Sequence, residues 1–307
     1  MFWLIRILYD GGTLLAPALL VGAALLQRAD HRRAGFALAV AALLVVVRIY
    51  ATHVEPRRLE VREAEVTTRS AGAGSEPLRI IHLSDIQSDA IGAWEQRVMA
   101  EVAALGPDLV IHTGDLLHPI EPATVRSELP KIEAALAQIH APKLTVEGDT
   151  DGWFVGLEDQ EQVAGMELLV DRATTLEIRG RRVAVLGLSL LQSAGGARDA
   201  IVAWLATVPP DAITIVAGHR PDFALELAGL DIDLVLAGHT HGGQIRLPWL
   251  GPIITLSRVP REWARGFRTI HDGIALDVSA GIGAEHAAGL PSIRVLCPPE
   301  LTVLTVR

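Results

Sequence analysis

Two histidines, His239 and His241, flank a threonine at the point where an apolar run stops at a glycine. Side chains two residues apart point to the same side of a strand, and in a glycine-rich turn both imidazoles can reach one centre. A His-x-His pattern alone is weak evidence for a metal ion, because many loop histidines are solvated or hydrogen-bonded. Four further residues of metal-binding type each follow another apolar run: Asp85, Asp115, Asp149 and His219. Together these residues predict a metal site.

The composition limits the classes of protein that fit. Half of the 307 residues are hydrophobic, which is high for a purely soluble protein and indicates that part of the chain contacts lipid. The formal net charge of -9 argues against a broad nucleic-acid-binding surface, which needs a clustered basic face. The single cysteine, Cys297, has no partner for an intrachain disulfide, and we expect it to be a buried small side chain.

The lipid contact is predicted at the N-terminus. Apolar runs from Gly11 to Leu26 and from Ala34 to Val47 are separated by a short charged stretch. Each run is near the lower length limit of about 17 residues for a spanning helix, and its flanks can lengthen it. Residues 1–54 are therefore predicted to be a membrane anchor of two transmembrane helices. The alternatives are an uncleaved signal-anchor, a signal peptide followed by one span, and a buried soluble hairpin.

Arginines on both sides of the second apolar run bear on its orientation. The loop before the run carries three of them, which favours a cytoplasmic loop and a following domain on the outer side of the membrane: Arg28, Arg32 and Arg33. Three more follow the run and favour the opposite orientation: Arg57, Arg58 and Arg62. The balance favours the outer side.

The rest of the chain divides into a linker, residues 55–77, and a domain, residues 78–307. The linker is charged and then rich in glycine and serine, and part of it, from Leu59 to Val66, is alternatively an edge strand. From Leu78 to Val146 strands alternate with helices, which puts carboxylates at the carboxyl ends of parallel strands.

The second half of the domain has more strands and fewer helices. Late strands such as Ile274–Val278, Ser292–Leu296 and Leu301–Val306 suggest antiparallel pairing. In the first half, Pro130 is expected to break the helix predicted over Pro122–Ile139. The predicted fold is α/β, a two-sheet mixed β-sandwich flanked by helices.

The ordered motifs resemble those of the calcineurin-like metallophosphoesterase superfamily, from roughly Leu78 to the C-terminus. The resemblance is carried by this set: Asp85-Ile86-Gln87, Gly114-Asp115, Gly148-Asp149-Thr150-Asp151, His219 and Gly238-His239-Thr240-His241. The segments from Gly238 to Pro248 and from Gly289 to Thr302 are similar to its membrane-associated bacterial branch. That branch includes phosphodiesterases and enzymes that cleave UDP-2,3-diacylglucosamine in lipid A synthesis, so the resemblance implies a bacterial inner membrane.

The resemblance also implies two divalent metal ions at one end of the sheets, with manganese favoured over iron or zinc. It assigns one ion to Asp85, Gln87 and His241, the other to Asp149, His219 and His239, and makes Asp115 the bridge. A hydroxide that bridges the ions would attack phosphorus in an in-line displacement. The implied catalytic set is Asp115, Asp149, Thr150 and Asp151, in which Asp151 orients a ligand or the backbone.

The chain departs from the family's pattern at two motifs. Gln87 replaces a histidine, and a neutral amide is a poorer ligand for most transition metals, so that site is expected to be weaker or to prefer oxygen-binding ions. Asp149 and Thr150 replace asparagine and histidine. A threonine hydroxyl cannot act as a general acid near neutral pH, so we expect a substrate with a good leaving group, such as a pyrophosphate.

Four other histidines lie in the chain segments around the predicted site. His118 and His286 are possible substitutes for the missing acid, with ordinary loop histidines as the alternative. His82 and His112 lie inside predicted strands and are expected to be core histidines with satisfied hydrogen bonds.

We therefore expect a membrane-anchored phosphodiesterase or pyrophosphatase that acts on a lipid-linked or nucleotide-sugar substrate. Trp249 and the apolar residues after it would present an apolar lip to such a substrate, with packing in the core as the alternative. A function of another class is a metal-binding pseudoenzyme that acts as a membrane sensor or scaffold, for which Gln87 and Thr150 are the evidence. The missing acid disfavours a general phosphomonoesterase, and the sequence leaves the oligomeric state open.

Overall fold

The computed structural model describes residues 10–26, 30–69, 76–118, 122–152, 161–271, 273–286 and 291–307. Two apolar helical segments come first. The first consists of the π-helical turn Gly11–Leu15 followed by helix α1, Ala16–Leu26. The second consists of helix α2, His31–Ile49, followed by the π-helical turn Tyr50–Val54 and the 3-10 turn Glu55–Arg57. Helices α1 and α2 are in contact. Among the described residues, one helical stretch is long and apolar enough to cross a bilayer, His31–Arg57. The predicted pair of transmembrane helices stays a prediction, because residues 1–9 lie outside the described ranges.

The described strands are, in chain order, β1 (Glu60–Val66), β2 (Leu78–Leu83), β3 (Leu109–His112), β4 (Lys143–Thr145), β5 (Gln162–Val163), β6 (Met166–Leu168), β7 (Arg172–Ile178), β8 (Arg181–Gly187), β9 (Ile213–Ala217), β10 (Leu234–Ala237), β11 (Arg246–Leu247), β12 (Gly251–Pro252), β13 (Gly266–Ile270), β14 (Ile274–Val278) and β15 (Glu300–Val306). The remaining helices are α3 (Ala93–Ala104), α4 (Pro122–Leu136), α5 (Leu190–Ser193) and α6 (Arg198–Leu205), with 3-10 turns at Pro221–Glu226, His241–Gly243 and Arg261–Ala264.

Two large mixed sheets form the domain. The first has the order β1-β15-β2-β3-β4-β6-β5, and the second has the order β13-β14-β10-β9-β8-β7. In both sheets the central strands are parallel, β2-β3-β4-β6 in the first and β8-β9-β10-β14 in the second. Strands β11 and β12 form a separate antiparallel hairpin. The strands β3, β9, β10 and β14 are buried along their whole length, as expected for parallel strands covered on both faces.

Apolar side chains fill three layers around these sheets. The cluster that contains Ile80 and Leu234 draws residues from both sheets and is the core between them. On the outer face of the first sheet, Val98 of α3 and Ile132 of α4 pack into a second cluster. A third cluster, around Phe223, covers the outer face of the second sheet. The two-sheet mixed sandwich flanked by helices, predicted from the sequence, is confirmed.

Three local expectations differ from the structure. Ser292–Leu296 is not a strand, because its backbone amides donate to two different segments, Arg294 to Ala51 and Val295 to Gln244. Within the described ranges its only ladder contact is the single bridge between Val295 and Ile245. Helix α4 continues through Pro130, which is exposed, so water can serve the carbonyl group that loses its partner. Within the predicted linker, β1 pairs with β15 along its full length, as in the edge-strand alternative.

Candidate metal centre

The predicted metal-binding side chains lie at the ends of parallel strands and form two groups. Because both sheets present their parallel strand ends at one edge, residues far apart in the chain meet there. One group consists of Asp149, His219 and His239, and the other of Asp85, Asp115 and His241. Within each group the ligand atoms all lie within 4.8 Å of one another. The structure thus brings together six of the seven predicted metal ligands.

The backbone at this edge is strained where it aims the side chains. Five residues have a positive φ, a region that side-chain-bearing residues rarely adopt: Asp85 (48°), Gln87 (38°), Asp115 (61°), His239 (67°) and His241 (47°). Such strain persists only where neighbouring structure enforces it, and it is concentrated at functional sites. Here hydrogen bonds between loops enforce the strained backbone. The Asp85 amide donates to the carbonyl oxygen of Gly114, and the Gln87 amide donates to that of Asp115, each at a distance of 2.9 Å.

His219 is oriented with one nitrogen toward the carboxylates. Its Nδ1 lies 2.8 Å from the carbonyl oxygen of Thr113, so Nδ1 carries the proton and donates. Its Nε2 lies 3.5 Å from Asp115 Oδ2 and 3.6 Å from Asp149 Oδ2. This Nε2 is buried and has no hydrogen-bond partner among the described residues. The backbone carbonyl therefore fixes the tautomer that leaves Nε2 free for a metal ion.

His239 and Arg220 fix the carboxylate of Asp149 from two sides. His239 Nδ1 lies 2.6 Å from Asp149 Oδ2, and its Nε2 lies 3.1 Å from the carbonyl oxygen of Leu256. Arg220 donates to the other oxygen, Asp149 Oδ1, from Nη2 at 2.6 Å and from Nε at 3.2 Å. Arg220 was not identified from the sequence, although it directly follows His219. It supplies the positive charge that offsets the extra negative charge of an aspartate at position 149.

The second group is almost completely buried. Both oxygens of Asp85 accept the backbone N–H of His239 at 3.2 Å, and Asp85 Oδ1 lies 3.4 Å from His241 Nε2. Gln87 donates its Nε2 to Glu285 Oε2 at 2.6 Å, which orients its amide. The amide oxygen of Gln87 is buried and has no hydrogen-bond partner in the described part of the chain. An oxygen held in this way suits a metal ion, which is the role predicted for Gln87.

Asp151 and Thr150 hold the loop that carries Asp149. The carboxylate of Asp151 accepts the backbone N–H groups of Asp115 (2.7 Å), Leu116 (3.0 Å) and Gly148 (2.9 Å). The Thr150 amide donates to Asp115 Oδ1 at 2.8 Å, and the buried Thr150 hydroxyl has no partner among the described residues. Asp151 therefore acts on the backbone that positions Asp115, whereas the Thr150 side chain makes no such contact.

The charges at this centre favour a cation between the carboxylates. Burial raises the pKa of Asp85 to about 6. Burial acts to lower the pKa of His219, but Asp115, Asp149 and Asp85 raise it to about 10. For Asp149, burial acts to raise the pKa, but the adjacent imidazoles of His219 and His239 hold that pKa well below its ordinary range. Divalent metal ions would supply positive charge where these carboxylates favour it.

A third group of side chains borders the centre. Asp89, His118 and His286 place ligand-type atoms within 4.8 Å of one another, and the rings of His118 and His286 are 4.1 Å apart. His286 Nε2 lies 3.2 Å from Asp89 Oδ2. His286 and Gln87 line a cavity of about 730 Å³ that also reaches Thr52 at the base of the N-terminal helices. The sequence indicates this group because Asp89 lies close to Asp85 along the chain, and His118 lies close to Asp115.

Two strand histidines lie in the core. His82 contacts Asp277 Oδ2 at 2.7 Å and Thr113 Oγ1 at 3.0 Å, so both of its nitrogens are satisfied, as predicted. His112 Nδ1 contacts Thr145 Oγ1 at 2.8 Å, but its Nε2 is buried without a partner in the described ranges. The expectation of satisfied hydrogen bonds is therefore met at His82 and only half met at His112.

Imidazole and carboxylate ligands without thiolates suit manganese, iron or zinc, and the free Nε2 of His219 and amide oxygen of Gln87 fit such ions. A two-sheet α/β sandwich with two His/Asp groups at its parallel strand ends is typical of one class of protein, the metal-dependent hydrolases. The family model described as calcineurin-like phosphoesterase matches residues 78–243. The chain therefore belongs to the calcineurin-like phosphoesterase family and is a metal-dependent phosphoric ester hydrolase.

The chain has sequence relatives among phosphoesterases. The chain is 28% identical to the metallophosphoesterase YkuE of Bacillus subtilis, over 84% of this chain and 89% of that protein. It is 27% identical to the phosphodiesterase YaeI of Escherichia coli (74% and 82%) and 24% identical to the UDP-2,3-diacylglucosamine pyrophosphatase LpxG of Chlamydia trachomatis (85% and 93%). Haemophilus influenzae NAD nucleotidase is a structural neighbour with a TM-score of 0.48 and 14% identity, covering 68% of this chain and 46% of that one.

Proposed function

We propose that this protein is a membrane-anchored, dinuclear-metal phosphodiesterase or pyrophosphatase. The observation that carries the proposal is the convergence of two His/Asp groups, each with its ligand atoms within 4.8 Å, at the parallel strand ends. Asp85, Gln87 and His241 would hold one ion, and Asp149, His219 and His239 the other, with Asp115 between them. When bound, two such ions supply an activated water and positive charge for the phosphoryl oxygens.

The protein's own groups orient and balance this centre. Thr113 holds the tautomer of His219, and Asp151 holds the loop of Asp115. Arg220 pairs with Asp149, and at about one-third exposure its guanidinium also faces solvent, where an anionic substrate would approach. These positioning residues keep the ligands in place before the substrate arrives, which is the condition for electrostatic catalysis.

The substrate class follows from Thr150. Its hydroxyl cannot donate a proton to a leaving group near neutral pH, so bonds with good leaving groups are favoured. A pyrophosphate bond meets this requirement, because its leaving group is itself a phosphate. The similarity to a UDP-2,3-diacylglucosamine pyrophosphatase supports a lipid-linked or nucleotide-sugar substrate for this chain too.

The membrane part of the proposal depends on the N-terminal helices. The stretch His31–Arg57 is 27 residues long and only 11% of its most apolar window is buried in the protein, so its apolar surface is available to lipid. We propose a bacterial inner membrane with the catalytic domain on its outer side, from the arginine distribution, and manganese as the metal.

The test is turnover of bis(p-nitrophenyl) phosphate by the full-length protein in detergent with added manganese. Asp115→Asn should abolish turnover, while the matched surface control Asp199→Asn, on exposed α6, should retain it. Elemental analysis of the same samples separates the outcomes. Bound metal with no turnover of this diester or of pyrophosphate substrates would favour the pseudoenzyme, and absence of bound metal would contradict the assigned ligands.

A further inference from the structure

We propose that the β11–β12 hairpin and the loop after it form a surface that lies on the lipid bilayer beside the base of the N-terminal helix. We call it the hairpin surface; its exposed apolar members are Ile245, Leu247, Trp249, Leu250, Ile253, Ile254 and Leu256. The inference rests on the membrane anchor of the proposed function and adds a second contact between the catalytic domain and lipid.

The exposure of these side chains is the first observation. Trp249 is fully exposed, and the other six members are 37% to 61% exposed, so packing in the core does not account for them. The sequence from Gln244 to Arg261 contains three arginines and no acidic residue. A contiguous apolar patch of this kind marks a binding surface, and a tryptophan with flanking arginines is typical of the headgroup region of a bilayer.

Continuity with the N-terminal helix identifies lipid as the partner. The hairpin is tied to Val295, since the Arg246 amide donates to Val295 at 3.0 Å and the Val295 amide donates to Gln244 at 2.8 Å. The next residue back, Arg294, donates its amide to Ala51 at 2.9 Å, in the last turns of that helix. A bilayer that contains the helix therefore meets the domain at the segment of Arg294 and Val295, next to the hairpin surface.

Exposed apolar side chains also continue between the two. Val54, just after Ala51, is 47% exposed, and Leu296, just after Val295, is 52% exposed. A soluble protein partner would have no reason to extend its contact onto the base of a membrane helix. Lipid would cover the helix, this junction and the hairpin surface as one apolar face.

The surface is also connected to the metal centre. The carbonyl oxygen of Leu256, a member of the hairpin surface, lies 3.1 Å from Nε2 of His239. The opposite nitrogen of the same ring contacts Asp149. A phosphate at the membrane interface would thus approach the centre from the hairpin side, which deepens the proposed preference for lipid-linked substrates.

The experiment places an environment-sensitive fluorophore at single cysteines in the full-length protein in nanodiscs of phosphatidylethanolamine and phosphatidylglycerol. Cys297 is buried, so the label goes to the introduced site. Trp249→Cys reports on the hairpin surface, Phe36→Cys, 74% exposed on α2, reports on the anchor, and Leu191→Cys, 82% exposed on α5, is the control. Nitroxide-bearing lipid should quench the labels at positions 249 and 36 strongly and leave position 191 unchanged.

The outcomes separate this inference from the anchor. Quenching at 36 without quenching at 249 overturns the hairpin surface and leaves the anchor intact. Quenching at neither position overturns both. If the label at 249 is instead shielded in detergent as protein concentration rises, a second copy of the chain covers the surface and the inference is wrong. Turnover of the soluble diester, measured on each labelled protein, confirms that the domain is folded.

Discussion

Thr150 sits beside the carboxylate of Asp115, yet only the Thr150 backbone contacts it. Its amide donates to Asp115 Oδ1, and its hydroxyl has no partner in the described ranges. We expect Thr150→His to accelerate diesters with poor leaving groups, by up to the roughly 10²–10⁴-fold that a general acid contributes. Esters of p-nitrophenol should gain much less. Rates for a series of aryl diesters check this, and an equal gain across the series would contradict it.

His112 is a second residue whose environment has a measurable consequence. Burial, with the nearby charges of His219 and His82, lowers the pKa of His112 from 6.5 to about 3. Between these two pH values the unfolded chain binds a proton that the folded chain does not, so stability falls as the pH falls through this window. His112 alone changes the free energy of unfolding by up to about 1.4 kcal/mol per pH unit in this window.

The measurement is the free energy of unfolding in urea at pH 7.5 and pH 5.5. We expect His112→Gln to lose less stability between these values than the wild type, whatever its absolute stability. His140→Gln, on an exposed site, should keep the wild-type pH dependence. The wild type and His112→Gln share every other ionisable group, so the difference between them reports on His112. Parallel curves for wild type and His112→Gln would contradict the burial argument.

At the scale of elements, the loop after β4 can approach β3 only because it contains glycine. A Cβ atom on Gly148 would lie 2.2 Å from Asp115 Oδ1 and 2.4 Å from the Asp115 amide nitrogen, whereas one on Gly152 would meet no described atom within 4 Å. We expect Gly148→Ala to displace Asp115 and to abolish metal binding and turnover, and Gly152→Ala to leave both near wild type. Metal content and turnover of the two variants provide the check.

The same elements show what the sequence could predict. Strand ends were visible because apolar runs stop at Asp85, Asp115 and His239, and the parallel arrangement then placed them together. The contact of Gln87 with Glu285 spans 198 residues, and no periodicity reports a pair so distant. The prediction of a strand at Ser292–Leu296 was wrong for a similar reason. The apolar residues there belong to an irregular segment that is held by the contacts of Arg294 and does not pair along a neighbouring strand.

At the scale of the whole molecule, the N-terminal helix and the metal centre share one set of contacts. The fully buried Arg294 donates to the carbonyl oxygens of Ala280, Gly281 and Gly283, and the Gly283 amide donates to the Asp85 carbonyl at 2.7 Å. Nearby, the Cys297 amide donates to the buried Glu55 at 2.9 Å. The base of the helix therefore contacts the loops that carry the predicted ligands.

This arrangement predicts how the catalytic domain tolerates removal of the N-terminal helices. Strand β1 covers the edge of β15 over seven residue pairs, from Glu60 with Glu300 to Val66 with Val306. β1 carries four charged side chains along its length, whereas β15 has one, at its first residue, and is otherwise apolar or threonine. An uncovered β15 would be an apolar sheet edge, which pairs readily with other chains.

We therefore expect a fragment of residues 55–307 to be monomeric and folded, and a fragment of residues 78–307 to associate and to unfold at lower temperature. Light scattering after size-exclusion chromatography and thermal unfolding compare the two. Metal content supplies a further readout, since loss of Glu55 frees the Cys297 amide beside the loop that supports Asp85. Equal mass, melting temperature and metal content in the two fragments would show that β1 and the helix base lie outside the folding unit, contrary to the contacts that join them to it.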